Sequence, residues 1–247
     1  MTAAEFAIVV PALHLSTASG DVDLQLTRRY AERAASTWVD RFIVSGSTTR
    51  GDRLTCEQRA DLLDLWLEVT TPDRLLACSW VPEDLEAAAA RHIAPMGVMR
   101  GLDDPAAALE YLQNLPDGAF VYSHPMYGKA VFDSTLAATA RDADALPRGG
   151  KLAKIAPDEI AYVRREAGRA FDLWDGSSRR IEASVRSGAS GVVATPLCAF
   201  DTELPDRQSD ALQRFVDPIQ DSLDQLPDRA ARSHELLTRA CAALSIT

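Results

Sequence analysis

The sequence predicts a (β/α)8 barrel with a short C-terminal helical extension. Short apolar runs alternate with amphipathic stretches eight times along the chain. The units recur every twenty to thirty-five residues or so, the spacing expected of successive strand–helix pairs. The length of 247 residues also suits a barrel, for which ~250 is typical. An open doubly wound sheet is the main alternative. A dinucleotide-binding version of it would carry GxGxxG after the first strand, where this chain has HLSTASGD.

Residues 6–13 (FAIVVPAL) read as the first strand. Residues 21–36 read as a helix, with Leu24, Leu26, Tyr30 and Ala34 available to its buried face. RFIVS, 41–45, is the second strand and runs into the polar turn GSTTRG. Thr55 suits a helix N-cap, because a helical spacing follows at Leu62, Leu63, Trp66 and Leu67. RLLACS, 74–79, is the third strand, and Pro82 opens a helix through Arg91. The fourth strand spans 95–99, and Asp103-Asp104-Pro105 opens a helix to about Asn114. AFVYS, 119–123, is the fifth strand, followed by a helix over 133–143. KLAKI, 151–155, is the sixth, and the helix over 157–168 ends at a glycine. AFDLW, 170–174, and GVVAT, 191–195, are the last two strands, with a helix near 178–187 between them. Residues 208–245 read as two helices broken at Pro227. The expected organisation is a catalytic barrel over 1–205, with the last barrel helix and an extension over 206–247.

Composition narrows the function. Asp and Glu number 36 against 26 Lys and Arg, for a net charge of −10. An acidic chain without a basic stripe is a poor nucleic-acid binder. No apolar run approaches the ~20 residues of a membrane span, and the start, MTAAEFAIVV, lacks a basic n-region. Cys56, Cys78, Cys198 and Cys241 are scattered, which argues against a zinc site or a disulfide framework and for a reducing cytoplasm. No metal and no cofactor is expected. Only three of the 26 cations are lysines: Lys129, Lys151 and Lys154. An amine can lose its proton and attack a carbonyl, whereas guanidinium stays protonated.

Barrel enzymes carry their chemistry at the C-terminal ends of the strands. Lys154 closes the sixth strand as read here. Lys151 and Lys154 cannot both face the interior, because side chains three apart point to opposite sides. Lys154, between Ala153 and Ile155 and nearer the strand end, is the inward candidate. The alternative pairs it with Asp158 or Glu159 at the mouth. Tyr122, on the neighbouring strand, is a candidate proton shuttle, or else a core aromatic whose hydroxyl reaches water. The turn Gly46-Ser47-Thr48-Thr49 offers hydroxyls and amides to a carboxylate. His14 and His124 lie at strand ends without forming a cluster, and Trp38, Trp66, Trp80 and Trp174 suit the core or rim.

Five segments in order resemble the dihydrodipicolinate synthase / N-acetylneuraminate lyase family of class I, Schiff-base aldolases. VPALHLSTASGDVD resembles the opening strand and loop. GSTTRGDRLTCEQR resembles G-T-T-G-E-x-x-x-L-T-x-E-E-R, with L-T-x-E-x-R in register. VYSHPMYG resembles Y-N-x-P, GGKLAKI the strand of the imine-forming lysine, and SGASGVVA the closing G-A-x-G-x-I-S strand. The likeness runs from about Val10 to Ala194. It implies that Lys154 forms an imine with a small 2-keto acid such as pyruvate. It further implies that Tyr122 shuttles protons, that Ser47 and Thr48 bind the carboxylate, and that Thr48 relays protons to the tyrosine. Gly46, Tyr127 and Val193 would line the substrate site.

Several positions depart from the family pattern. Ser123 replaces its Asn, and Thr49 and Arg50 replace its Gly and Glu. Tyr127 stands where dihydrodipicolinate synthases carry an arginine for the second substrate's carboxylate. PMGVMRGLDD replaces the tyrosine segment through which a neighbouring subunit completes the relay. The expectation is therefore a lyase or aldolase joining or cleaving a C–C bond between a 2-keto acid and an unidentified aldehyde or imine, in a homo-oligomer. A true dihydrodipicolinate synthase is the alternative within the class. A barrel that has lost catalysis and binds a metabolite or a protein is the alternative outside it.

Overall fold

The computed structural model describes residues 6–17 and 20–245. Residues 1–5, read above for a targeting segment, and the loop positions 18–19 lie outside the described residues. Eight parallel strands close into a barrel in sequence order. They are β1 (Ala7–Pro11), β2 (Arg41–Val44), β3 (Leu75–Ser79), β4 (Ala94–Val98), β5 (Phe120–Ser123), β6 (Gly149–Leu152), β7 (Asp172–Asp175) and β8 (Gly191–Val193). The outer helices are α1 (Leu24–Ala35), α2 (Cys56–Leu67), α3 (Pro82–Ala89), α4 (Pro105–Gln113), α5 (Ser134–Asp142), α6 (Pro157–Ala167), α7 (Ile181–Arg186), α8 (Ser209–Asp224) and α9 (Arg229–Ser245). Among the described residues no helix is long and apolar enough to cross a membrane.

Strand parity sorts the apolar residues into two layers. Val9, Ile43, Leu76, Met96, Phe120, Trp174 and Val193 fill the barrel interior. Ile8, Val10, Phe42, Val44, Leu75 and Val192 face the opposite way and pack under the helices. Val121, Leu152 and Leu173 do the same on the far side. Tyr122 and Trp174 both point inward, and Lys151 lies between them in register. Beneath Lys151, Phe120 stacks on Trp174 with ring centroids 4.8 Å apart. Gly149 lets β7 lie close against β6: a Cβ there would come within 2.4 Å of the Asp172 carbonyl oxygen.

The sixth strand starts two residues before the sequence reading placed it and ends at Leu152. Glycine disfavours strands, which hides the start of β6 from the sequence, although Gly149 and Gly150 both pair with β5. On α1, Leu24 is exposed, and the buried face is Thr27, Tyr30, Ala31 and Ala34. Thr55 caps α2 as expected, in a reciprocal pair with Gln58.

A buried ion pair anchors the loop after β2. The Arg59 guanidinium donates to Asp84 Oδ1 at 2.8 Å and to the Gly51 carbonyl at 3.2 Å, and it also reaches the Leu54 carbonyl. Asp84 in turn accepts from the Trp80 and Val81 amides at 2.7 and 3.2 Å. Gly51 lets the loop fold back: a Cβ there would lie 1.7 Å from the Ser45 carbonyl oxygen.

Replacing Arg59 with Met leaves the Asp84 carboxylate buried without its cation. Breaking a buried pair costs about 3–5 kcal/mol, so Arg59→Met is expected to lower the urea midpoint sharply. Loss below about 1 kcal/mol would show that the pair does not brace the loop.

Candidate active site

The C-terminal ends of the strands open into a cavity of about 700 Å³. Lys151 rises into it from the third position of β6 and is almost wholly buried. Its Nζ lies 4.0 Å from the centre of the Tyr122 ring, on the adjacent strand. Burial pulls its pKa down to about 8, and Arg229 pushes the same way. Cys78 and Tyr127 act in the opposite direction, and no carboxylate is among the groups acting on it.

The Tyr122 hydroxyl lies 3.0 Å from Ser47 Oγ. Burial raises the phenol's pKa, while the bond to Ser47 and the nearby Tyr127 hydroxyl moderate the rise. Tyr127 packs edge-on against Tyr122 and Trp80, at centroid distances of 5.7 and 5.5 Å. Trp80 is itself tied by its indole N–H to the Ser45 carbonyl at 2.9 Å. Three hydroxyls thus gather beside the amine, supported by the loop that Arg59 braces.

Two sequence expectations need correction. Lys154 is not the inward lysine. It sits past the end of β6 in a turn with φ of 61°, exposed on the rim of the same cavity. The parity rule holds, since Lys151 points inward and Lys154 does not. The strand boundary was misplaced, so the rule selected the wrong member. The second concerns the hydroxyl expected beside the tyrosine: the side chain bonded to the Tyr122 hydroxyl is that of Ser47, not Thr48. Thr48 lines the cavity, and its carbonyl accepts from Ser233 of α9.

The other expected residues are dispersed around this centre. Val193 lines the cavity. Gly46 is buried and gives its carbonyl to the Gly51 amide at 3.0 Å; it is not among the lining residues. His14 is paired with Thr49 Oγ1 at 3.0 Å, and burial lowers its pKa to about 4. His124 lines the cavity, and its Nδ1 accepts the Met126 amide at 3.0 Å. Among the described residues no group of three or more His, Cys, Asp or Glu could hold a metal ion.

Solved structures of similar architecture cover nearly the whole chain. A protein of the dihydrodipicolinate synthase family from Coccidioides immitis matches 99% of this chain and 86% of its own, with TM-score 0.79 and 16% identity. The 2-keto-3-deoxygluconate aldolase of Picrophilus torridus matches over 95% and 93%, with TM-score 0.78 and 17% identity. A catalytic-lysine mutant of the Ruminococcus gnavus sialic acid aldolase matches over 100% and 99%, with TM-score 0.75 and 12% identity. The shared feature is the fold. No family model matches the chain, and no curated protein matches it by sequence.

The sequence places two helices in 208–245, but nothing in it brings the second of them, α9, to the site. Its first turn reaches over the barrel mouth, where Arg229 donates to the Ser47 carbonyl and approaches the Tyr127 hydroxyl at 3.5 Å. Positions 47 and 229 are far apart in sequence, and no local pattern marks their contact. Lys151 did have a signal: the Gly-Gly before it marks close backbone approach in a strand.

The depressed pKa has a consequence for stability. The folded chain holds the Lys151 proton less tightly than the unfolded chain, whose amine has the ordinary value of 10.5. Below pH 8 the buried charge therefore costs stability, roughly 3 kcal/mol. The cost fades as pH rises from about 8 towards 10.5. Lys151→Met is expected to melt higher than the parent at pH 7, with the gap closing by pH 10 in calorimetry. A gap independent of pH would contradict the burial of a charged amine.

Proposed function

We propose that the chain is a Schiff-base-forming lyase or aldolase acting on a small 2-keto acid, of which pyruvate is the simplest, through Lys151. The observation that carries this reading is the buried amine with a pKa near 8, seated on Tyr122, whose hydroxyl is bonded to Ser47. At neutral pH an appreciable fraction of this amine is unprotonated and nucleophilic. The solved structures of the same fold include aldolases, and for one of them a catalytic lysine is named.

In this reading the neutral amine adds to C2 of the keto acid, and the carbonyl oxygen leaves as water. The resulting iminium withdraws electrons from C3, whose proton departs through the Tyr122–Ser47 hydroxyls. The enamine carbon then bonds to the carbonyl carbon of an aldehyde, and the alkoxide takes a proton from Tyr122. Water adds to the iminium, releasing the product and the free amine. Cleavage is the same sequence reversed. The Ser47–Thr48 turn, at the cavity wall, receives the keto-acid carboxylate. Cys56, Cys78, Cys198 and Cys241 are all free, which supports a reducing compartment such as the cytoplasm.

Pyruvate with borohydride is expected to add a stable mass to the parent chain, mapped by peptide mass spectrometry to Lys151. Lys151→Met should give none. Tyr122→Phe should still trap pyruvate but lose roughly 10²–10⁴-fold in turnover, the usual worth of a positioned acid–base group. An adduct on Lys154 would overturn the assignment. The absence of an adduct with several 2-keto acids would favour a barrel that only binds.

A further inference from the structure

The cavity is strongly cationic in a chain whose net charge is −10. Lys151, Lys154, Arg179, Arg180, Arg229 and Arg232 line it, and no Asp or Glu does. Part of this charge is neutralised from outside. Asp224 holds Arg179 and stands 3.9 Å from Arg232, and Asp175 stands 3.8 Å from Arg180. Arg229 and Lys154 are different: among the described residues neither has a carboxylate within ion-pair distance. Arg229 is instead held by neutral groups, namely the Ser47 carbonyl, the Tyr127 hydroxyl and Met126 Sδ at 3.2 Å. Its guanidinium is thus fixed beside the hydroxyl cluster without a carboxylate in direct contact, Asp52 acting on it only from further away. Two further nitrogens, Nε of Arg180 and Nε of Arg232, are buried without a hydrogen-bond partner. The field is felt locally: burial is the main reason His124 is lowered to about 4, and Lys151, Arg229 and Lys154 add to it.

We propose that Arg229, with Lys154 across the mouth, is a specificity-determining pair that binds an oxyanion on the second reactant, a carboxylate or a phosphate distal to its aldehyde. This inference rests on the proposed imine chemistry for the identity of the reaction. Pyruvate supplies only one carboxylate, which the proposed reaction assigns to the Ser47–Thr48 turn. Arg229 and Lys154 are supplied by other elements, the first turn of α9 and the turn after β6. A fixed guanidinium suits a planar or tetrahedral oxyanion, which it contacts with two parallel N–H donors. A cavity of about 700 Å³ has room for both reactants, being within the usual range of small-molecule sites.

The test separates anion binding from imine formation. Calorimetry with glycerol 3-phosphate, succinate and neutral glycerol needs no chemistry at Lys151. The parent chain is expected to bind at least one anion at least tenfold more tightly than glycerol, and added salt should weaken the binding. The preferred anion distinguishes phosphate from carboxylate. Arg229→Met should lose at least tenfold in affinity for that anion, and Arg229→Lys should recover part of it. Anions binding no better than glycerol to the parent chain would overturn the proposal, as would undiminished anion binding by folded Arg229→Met. Pyruvate trapping on the parent chain is read separately, so failure of the imine chemistry is not mistaken for failure of the anion site.

Discussion

The site depends on keeping one amine away from water without giving it a counter-charge. A carboxylate beside Lys151 would stabilise the ammonium and quench the nucleophile. The barrel instead offers the face of Tyr122, the thiol of Cys78 and a floor formed by Phe120 stacked on Trp174. Desolvation then does the chemical work. It lowers the proton affinity of the amine, and it does so at the expense of stability at neutral pH.

In the proposed reaction the desolvated amine is useful only if the hydroxyls beside it are held as firmly as the amine itself. Tyr122 and Lys151 share a register on adjacent strands, so their separation is set by the sheet itself. Ser47 comes from a loop and needs separate support. That support runs through Gly51, which permits the tight return, and through Arg59, which links the loop to Asp84 and so to Trp80. Trp80 in turn backs Tyr127. The buried ion pair and the Tyr122 and Ser47 hydroxyls are therefore one connected arrangement.

The C-terminal helix completes the mouth. α9 packs along α1, where Arg29 donates to the Leu244 carbonyl. Its other end reaches the loop after β2 through Arg229 and Ser233. The two contacts fix the helix at both ends. The cations it carries join those of the β6 and β7 turns, so an acidic chain encloses a positive cavity. Such an arrangement raises the local concentration of anionic ligands.

The sequence by itself determined the barrel, the order of its elements and the position of the hydroxyl turn and of Tyr122 at the C-terminal ends of the strands. These follow from local patterns: strand parity, helical spacing, caps such as Thr55 and strand-end position. It did not determine which lysine enters the cavity. That depended on the start of β6, where Gly149 and Gly150 pair with β5 despite a poor strand propensity. Nor did it place Ser47, rather than Thr48, against Tyr122, since the two differ only in the twist of a short turn. Arg229 was invisible, because its contact with Ser47 joins distant parts of the chain. Local preference carries no information about such closure, and only the packing of α9 onto the finished barrel decides it.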